Sequence, residues 1–388
     1  MGESHITIEL THQCNNKCFY CYNEYREKCK KYNNINIVKK HIEDIINSQI
    51  DKPMVLVFSG GEPTLDNEYL FEILMYTYKL KKQKNLQFDI NINTNCTNLS
   101  DKLLNAIIYT KTALFISLIS KDKLLYNKIT NSDNYDKFIE NLKKVINKNV
   151  RHSGNLVVNV FNYQSLEESC DYFFNIGVKT IVTSLAHGKV EGFFDKESYN
   201  KYIDQCLSLK KKYNNSFGFC STLGSCQLDR FCLTGNASNG RQLVNCSFIK
   251  GMTGITPENT YVGCCRQPFE LFVKADSYDE SKIKNKKILA LLPEIPNECK
   301  DCLLKSLCFG LCGHDIQLRN TRRNKILKII DLIKNEDDFK HYCKYYNMHN
   351  EFIDEVRYVN ENLYTIWDVI NIFRKVLINE EYNNYTGC

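Results

Sequence analysis

Apolar runs and amphipathic segments alternate along the first half of the chain. Six short runs rich in Val, Ile, Leu and Phe are nearly continuous, as strands are when both faces of a parallel sheet are buried. These runs lie at residues 6–10, 54–60, 87–94, 113–119, 156–161 and 179–186. Between them, the spacing of apolar positions predicts helices at residues 36–48, 68–84, 101–109, 135–147, 166–176 and 196–212.

This alternation predicts six βα units that form a parallel sheet with right-handed crossovers. A complete eight-unit barrel needs about 250 residues, which is more than the alternating region provides. The predicted fold class is therefore α/β, with a partial (β/α)6 TIM barrel over residues 1–214 that is open on one side.

The pattern changes after residue 214. Regular periodicity fades over residues 215–345, where Gly, Asn and Cys are frequent, so metal sites rather than a large apolar core are predicted to organise this second domain. Over residues 346–388 an apolar stripe that includes Phe352, Leu363 and Trp367 predicts a C-terminal helical segment. The stripe suits packing against the barrel, and a partner or dimer surface is the alternative.

Composition narrows the kind of protein. The chain has 388 residues and 19 cysteines, with no N-terminal secretory pattern and no apolar run long enough to span a membrane. A reducing, cytoplasmic location is predicted, where clustered cysteines hold metal or catalyse reactions more often than they form disulfides. The net charge of +6 comes from scattered lysines, which indicates solvated faces and predicts neither nucleic-acid nor membrane binding.

The motif with the most chemical content is Cys14-x3-Cys18-x2-Cys21, which directly follows the first predicted strand. Three thiolates can ligate three irons of a four-iron cluster, whereas a structural cluster takes four cysteines, so one iron is left open to a substrate or cofactor. Gly60-Gly61-Glu62-Pro63 closes the second strand, Asn95 follows the third, and Ser117 ends the fourth. All these positions lie at carboxyl ends of strands, where barrel enzymes place their active sites.

The cysteine triplet, with the aromatic Tyr20 before its last member, and the Gly-Gly-Glu-Pro segment together resemble the radical S-adenosylmethionine (SAM) superfamily. The resemblance implies that a [4Fe–4S] cluster binds the methionine group of SAM and generates a 5′-deoxyadenosyl radical. It implies cofactor contacts from Gly60, Gly61, Glu62 and Pro63, an adenine contact from Tyr20, and ribose and carboxylate contacts from Asn95 and Ser117. The glycines would let the backbone approach the cofactor, and the Glu62 carboxylate would accept a hydrogen bond from the methionyl ammonium.

A second cysteine constellation resembles the SPASM extension, which binds auxiliary four-iron clusters in enzymes that modify peptides and proteins. It consists of Cys299-x2-Cys302-x5-Cys308-x3-Cys312 with the flanking Cys246, Cys264 and Cys343. By this resemblance one auxiliary cluster takes Cys299, Cys302, Cys308 and Cys343, and the other takes Cys246, Cys264, Cys312 and an upstream cysteine. Cys232 is the preferred upstream ligand, Cys226 or an open iron site being the alternatives, and zinc is the competing metal.

The chain departs from the family pattern at several positions. Cys265 stands where sulfatase-maturing members carry an acid, and its thiol is the candidate catalytic group, as a hydrogen-atom donor or a base. Ser117-Leu118-Ile119 lacks the acid of the family's Ser-x-Asp, for which Asp122 is a possible substitute. Cys96 replaces a glycine after Asn95 and is predicted to be a small buried residue. Asn259 also replaces a glycine, and its turn is predicted to survive because asparagine tolerates left-handed backbone geometry.

The resulting prediction is a radical SAM/SPASM peptide maturase that holds three [4Fe–4S] clusters, one that binds SAM and two auxiliary. Its products would be a thioether or carbon–carbon crosslink, an epimerised residue or an oxidised side chain. The partners implied are a peptide or protein substrate, a separate leader-binding protein, and an electron donor of the flavodoxin or ferredoxin type. The alternatives are sulfatase maturation, small-molecule dehydrogenation, and a non-catalytic metal-binding module.

Overall fold

The computed structural model describes residues 4–21, 32–48, 54–186, 196–219, 254–262 and 274–291. These residues fall into two compact units. The first runs from the N-terminus to the last parallel strand and includes the short turn Thr256–Glu258, and the second contains the other described residues from Gly254 onward.

The first unit is built on a parallel sheet whose strands follow one another in sequence order. The strands are β1 (Ser4–Glu9), β2 (Met54–Ser59), β3 (Asp89–Thr94), β4 (Ala113–Leu118), β5 (His152–Val158), β6 (Ile181–Leu185) and β7 (Phe217–Phe219). Each pairs in parallel with the next. Within the described residues β1 and β7 do not pair with each other, so the fold is the predicted open, partial barrel.

Helices connect the strands and cover one face of this sheet, because sequential right-handed crossovers all return on the same side. The helices are α1 (Ile35–Ser48), α2 (Asn67–Gln83), α3 (Asp101–Tyr109), α4 (Lys123–Thr130), α5 (Tyr135–Asn147), α6 (Leu166–Asn175) and α7 (Lys196–Tyr213). A 3-10 helix, Pro63–Leu65, directly follows the end of β2.

Side chains alternate between the two faces of the sheet. In β4, Leu114, Ile116 and Leu118 are buried, as expected on the helix-covered side, whereas the alternate positions Phe115 and Ser117 are half-buried. The second row therefore faces the interior of the partial barrel. We call its members in β3–β6 the inner row; they are Asn91, Asn93, Ala113, Phe115, Ser117, Ser153, Asn155, Val157, Val182 and Ser184.

Three local features differ from the sequence prediction. Helix α4 was expected to be a loop, but Asp122 caps its first turn and Asn131, in left-handed geometry, ends it. Strand β5 is displaced toward the N-terminus, because the segment after Val158 forms a turn. Strand β7 continues the sheet to Phe219, beyond the last predicted strand.

The second unit contains β8 (Gly254–Ile255), β9 (Tyr261–Val262) and α8 (Tyr278–Leu291). β8 and β9 are antiparallel, and Asn259 lies between them at φ 62°, which confirms the predicted left-handed turn. Among the described helices none is both long and apolar enough to cross a bilayer. The domain boundaries at residues 214 and 345 remain predictions, and the C-terminal segment 346–388 lies outside the described residues.

The turn after β5 provides a test of the fold. The Asn162 side chain is buried, donates to the carbonyls of Ile119 (2.8 Å) and Val157 (2.9 Å), and accepts from the Asn159 N–H (2.7 Å). Asn162→Leu leaves these backbone groups unsatisfied. We expect it to lower the free energy of unfolding by about 2–4 kcal/mol in urea denaturation of the apoprotein.

Gln164→Leu is the matched control for this turn, because Gln164 is exposed and bonds only the neighbouring Tyr163 hydroxyl. Its free energy of unfolding should change by less than about 0.5 kcal/mol. Equal effects of the two substitutions would contradict a role for Asn162 in joining β4 to β5.

Candidate functional site

The predicted cluster ligands lie together in the loop that follows β1. Cys14, Cys18 and Cys21 are half-buried free thiols, and the Cys21 N–H donates to the Cys18 carbonyl (3.0 Å), which closes a tight turn between them. We call residues 11–21 the cluster loop. Among the described residues no three ligand groups converge on a single ion, and a cuboidal cluster does not require that, because each thiolate binds a different iron.

The electrostatics of the cluster loop fit a cationic metal centre. Burial raises the pKa of the Cys14 thiol to about 12, and the nearby Glu62 carboxylate and the thiolates of Cys18 and Cys21 raise it further. Thiolates are the form that ligates iron, so bound iron supplies the positive charge that these groups lack. The donor set therefore suits an iron–sulfur cluster.

One side of the cluster loop is bonded to the end of β2. The Gly61 N–H donates to the Thr11 carbonyl (2.6 Å) and the Glu62 N–H to the Gln13 carbonyl (2.7 Å), which continues the β1–β2 pairing beyond the strands. A Cβ on Gly60 would lie 2.4 Å from the Thr11 oxygen, and one on Gly61 would lie 2.1 Å from the Gln13 oxygen. The glycines thus permit close contact between two protein segments, in addition to any contact with a cofactor.

The Glu62 carboxylate is buried and heavily hydrogen-bonded. Its Oε1 accepts from the Thr64 N–H (3.0 Å), the Thr64 hydroxyl (2.7 Å) and the Thr94 hydroxyl (2.7 Å), and its Oε2 accepts from the Asn95 N–H (2.6 Å). Burial raises the pKa of Glu62, while these hydrogen bonds oppose the increase. Glu62 therefore joins the end of β2 to the end of β3, and only Oε2 has capacity for a further donor such as the predicted methionyl ammonium.

Asn95 connects this carboxylate to the cluster loop. Its Nδ2 donates to Asn15 Oδ1 (2.8 Å) and approaches Cys14 Sγ (3.9 Å), and its Oδ1 accepts from the Thr97 N–H (3.0 Å) and hydroxyl (2.7 Å). These contacts orient the side chain toward the cysteines. The following Cys96 is fully buried at φ 61°, as expected for a small residue that replaces a glycine.

Helix α4, which the sequence did not reveal, holds the other side of the cluster loop. The Lys17 N–H donates to the Thr130 carbonyl (2.8 Å) and the Phe19 N–H to the Ile129 carbonyl (3.3 Å). Both acceptors are among the last carbonyls of the helix, which lack partners within the helix itself. The cluster loop therefore satisfies the C-terminus of α4.

Asn16 is a further positioning residue that sequence analysis missed. Its side chain is buried, and its Oδ1 accepts from the Ser132 hydroxyl (3.0 Å) and from Asn134 Nδ2 (2.9 Å). Its N–H donates to Cys14 Sγ (3.4 Å). The available sequence signal was a pair of asparagines between two cluster cysteines, but their partners lie more than one hundred residues away.

The remaining predicted cofactor residues lie around the same edge of the sheet. Tyr20 contacts Phe19 edge to face, with ring centroids 5.4 Å apart, and burial together with Cys18 and Cys21 raises the pKa of its hydroxyl. Pro63 is buried at the start of the 3-10 helix, and Ser117 is on the inner row. Asp122, the suggested substitute for the missing acid, is instead the exposed cap of α4 and accepts from the Leu125 N–H (2.7 Å).

A histidine without a sequence-based role also contacts this loop. His12 is buried, and its Nε2 lies 2.9 Å from the carboxylate of Glu258, in the turn Thr256–Glu258 of the same unit. Burial alone would raise the pKa of Glu258, but the hydrogen bond and charge of His12 outweigh it and hold this pKa below its usual value. The pair links the cluster loop to a segment far along the chain.

The predicted auxiliary ligands and the candidate catalytic thiol Cys265 lie outside the described residues. This applies to Cys232, Cys246, Cys264, Cys299, Cys302, Cys308, Cys312 and Cys343, and to the alternative ligand Cys226. Their roles remain predictions.

Comparison with known proteins gives matches in sequence and in structure. The family model described as "Radical SAM superfamily" matches residues 8–173. Over 53% of this chain, the sequence is 27% identical to the uncharacterized protein MJ0907 of Methanocaldococcus jannaschii, of which it covers 71%. It is 28% identical to a probable GTP 3′,8-cyclase of Saccharolobus islandicus, again over 53% of this chain, and it spans 66% of that protein's length.

Two solved structures share the fold at low sequence identity. Native anSMEcpe with bound AdoMet has a TM-score of 0.66 at 16% identity and covers 92% of this chain and 100% of its own. SuiB of Streptococcus suis bound to S-adenosylmethionine has a TM-score of 0.60 at 14% identity, with 80% and 73% covered. At these identities the likeness establishes the architecture alone.

The buried carboxylate provides a test of the site in the apoprotein. In Glu62→Gln an amide NH2 in place of Oε2 would face the Asn95 N–H, so two donors would meet where a carboxylate now accepts. We expect the free energy of unfolding to fall by about 2–4 kcal/mol without any cofactor present, measured by urea denaturation. A purely cofactor-binding role for Glu62 predicts unchanged stability.

Glu72→Gln is the control for Glu62→Gln, because Glu72 is 55% exposed and pairs with Lys39 on the surface. Loss of such a surface pair should change the free energy of unfolding by less than about 1 kcal/mol.

The contact between His12 and Glu258 predicts a pH dependence. A carboxyl group whose pKa is lowered by folding contributes stability above its unfolded pKa of about 4.3, and this contribution disappears as the pH falls through the folded value. The wild type should therefore be more stable than Glu258→Gln near pH 6, and the difference should vanish in acid. Thermal unfolding of both proteins from pH 3 to 6 measures this, and a difference independent of pH would contradict it.

Proposed function

Since residues 8–173 place this chain in the radical SAM superfamily, we propose that it is a peptide maturase. In this proposal it uses SAM and a [4Fe–4S] cluster to modify a ribosomally made peptide, by a thioether or carbon–carbon crosslink, epimerisation or oxidation.

The observation that carries the proposal is the chemistry of the inner row. Every inner-row side chain from Asn91 to Ser184 is uncharged, and amides and hydroxyls predominate. The Ser184 hydroxyl donates to Asn155 Oδ1 (2.8 Å), and Asn91 Oδ1 is buried without a hydrogen-bond partner. Such groups match the N–H and C=O groups of a polypeptide main chain.

The same observation argues against a nucleotide substrate like that named for the cyclase relatives. A nucleoside triphosphate carries several negative charges and is bound through cationic side chains, metal ions or clustered backbone N–H groups. The inner row provides no cation among its members. The identity to the cyclases is 28% and spans 66% of their length, so it supports a shared barrel more than a shared substrate.

Two structures with the same architecture contain peptides. anSMEcpe has been solved with AdoMet and a peptide called Cp18Cys, at a TM-score of 0.64. SuiB has been solved with its precursor peptide SuiA, at a TM-score of 0.57. An open barrel of this kind can therefore admit a polypeptide, which supports the same use here.

The proposal assigns roles to residues of this chain. Cys14, Cys18 and Cys21 would hold the cluster, and Tyr20, Asn95, Ser117 and the Gly60–Pro63 segment would bind SAM. When bound, cluster and SAM together supply a 5′-deoxyadenosyl radical, which abstracts a hydrogen atom from the substrate. The chain orients the thiols through Asn16 and Asn95, fixes the cluster loop through Glu62, and presents the substrate to the inner row.

The second domain completes the proposal. Its cysteines would hold two auxiliary [4Fe–4S] clusters, and Cys265 would act as a hydrogen-atom donor or a base. Because Cys265 replaces the acid of sulfatase-maturing members, sulfatase maturation is the less favoured alternative. Small-molecule dehydrogenation and a non-catalytic metal module are the others, and zinc without sulfide would indicate the last.

The proposal is tested by mass spectrometry with reconstituted, anaerobic enzyme, SAM and dithionite. The substrates are the peptide encoded by a neighbouring gene and, in parallel, GTP. We expect a mass change in the peptide, 5′-deoxyadenosine release, and no conversion of GTP. SAM cleavage with an unchanged peptide would refute the peptide assignment, and a cyclised GTP product would replace it.

A Cys14/Cys18/Cys21 triple alanine variant is the control for this experiment. It should release no 5′-deoxyadenosine and leave the peptide unmodified. Equal release by the variant and the wild type would remove the basis for the radical SAM activity itself.

A further inference from the structure

A surface next to the cluster loop combines exposed apolar side chains with lysines. Leu124 on α4 is 80% exposed and Phe161 is 44% exposed. The Lys128 ammonium lies 4.5 Å from the centre of the Phe161 ring. Leu124 and Lys128 are four residues apart on one helix, so their side chains are neighbours. We call Lys17, Phe19, Leu124, Lys128 and Phe161 the α4 face.

This surface is in direct contact with the segment that carries the cysteines. The Phe161 and Phe19 rings meet edge to face, with centroids 5.1 Å apart. Phe19 lies between Cys18 and Cys21 in sequence, and its N–H donates to the Ile129 carbonyl of α4. A molecule seated on the α4 face would therefore approach the cluster ligands with few side chains in between.

The α4 face has a positive charge next to its apolar centre. Within the described part of the chain, Lys17 and Lys128 form no ion pair, whereas the nearby Lys121 and Lys123 pair with Glu168 and Asp136. The acids flanking α4 are engaged in local contacts. Asp122 accepts from the Leu125 N–H, and Asp133 accepts from Asn127 Nδ2 (3.4 Å). The lysines next to Phe161 thus favour an acidic partner.

The geometry points to the α4 face as the docking site of a flavodoxin-type electron carrier, an acidic protein with an apolar flavin edge. This inference rests on the proposed function, since SAM cleavage needs one electron from outside the chain. In the docked state the reduced flavin loses one electron and the cluster gains it, with no bond or proton transferred. A small interface with an apolar centre and a charged rim suits a weak, transient redox encounter.

The test measures how fast the cluster of the holoenzyme is reduced, followed by its visible absorbance under anaerobic conditions. The two reductants are reduced flavodoxin and dithionite, and the variants are Leu124→Glu and Lys128→Glu. We expect both substitutions to slow reduction by flavodoxin roughly tenfold at low salt through lost apolar contact and charge repulsion. Reduction by dithionite should be unchanged, and added salt should slow the wild type with flavodoxin because it screens the attraction.

Two control variants place the same change elsewhere on the barrel. Ile108→Glu replaces an apolar side chain that is 41% exposed on α3, and Lys143→Glu reverses an exposed charge on α5. Both should be reduced by flavodoxin at the wild-type rate. An effect of the same size in the controls would overturn the assignment of the α4 face.

The remaining outcomes also decide the proposal. An unchanged flavodoxin rate in Leu124→Glu overturns it, whatever Lys128→Glu does, because Leu124 is too exposed for its replacement to disturb the cluster loop. Slower reduction by ferredoxin but not by flavodoxin overturns the choice of partner. A peptide left unmodified with dithionite refutes the proposed function instead and leaves the measured docking intact, since cluster reduction is observed without a substrate.

Discussion

The geometry of the cluster loop depends on one buried carboxylate, that of Glu62. An ionised carboxylate in a protein interior is costly unless hydrogen bonds replace its water, and Glu62 accepts from Thr64, Thr94 and Asn95. Its own N–H donates to the Gln13 carbonyl of the cluster loop. The end of β2, the end of β3 and the cluster loop therefore meet at a single residue, and each restrains the other two.

This arrangement means that protein contacts alone define the position of the cysteines. The cluster loop is bonded to the end of β2 through Thr11 and Gln13 and to α4 through the N–H groups of Lys17 and Phe19. Because both supports are regular elements of the sheet and helix layers, the ligand positions are held by the rigid part of the fold. Ligand sets supported in this way lose little freedom when metal binds, which favours tight and specific incorporation.

Sequence reasoning predicted the fold and the position of the site because both depend on local patterns. Continuous apolar runs indicated the parallel strands, and the Cys14 triplet and the Gly60–Pro63 segment fell at strand ends as expected. What it missed depends on long-range pairing. Helix α4 is short, and its function as a support follows only from Asn16 meeting Ser132 and Asn134. Likewise the Gly60 and Gly61 contacts are with the cluster loop, which no turn pattern reveals.

The inner row explains why substrate class is harder to predict from sequence than the radical chemistry. The cysteine triplet and the Gly-Gly-Glu-Pro segment are compact in sequence, whereas the inner row alternates with buried residues along four strands. Asn155 meets Ser117 only through the register of β4 with β5, and Ser184 reaches Asn155 from β6. Under the proposed function these neutral groups bind main-chain atoms, which every peptide shares. Selection of one peptide sequence must then come from contacts beyond the inner row, which is the physical reason to expect separate recognition of a leader segment.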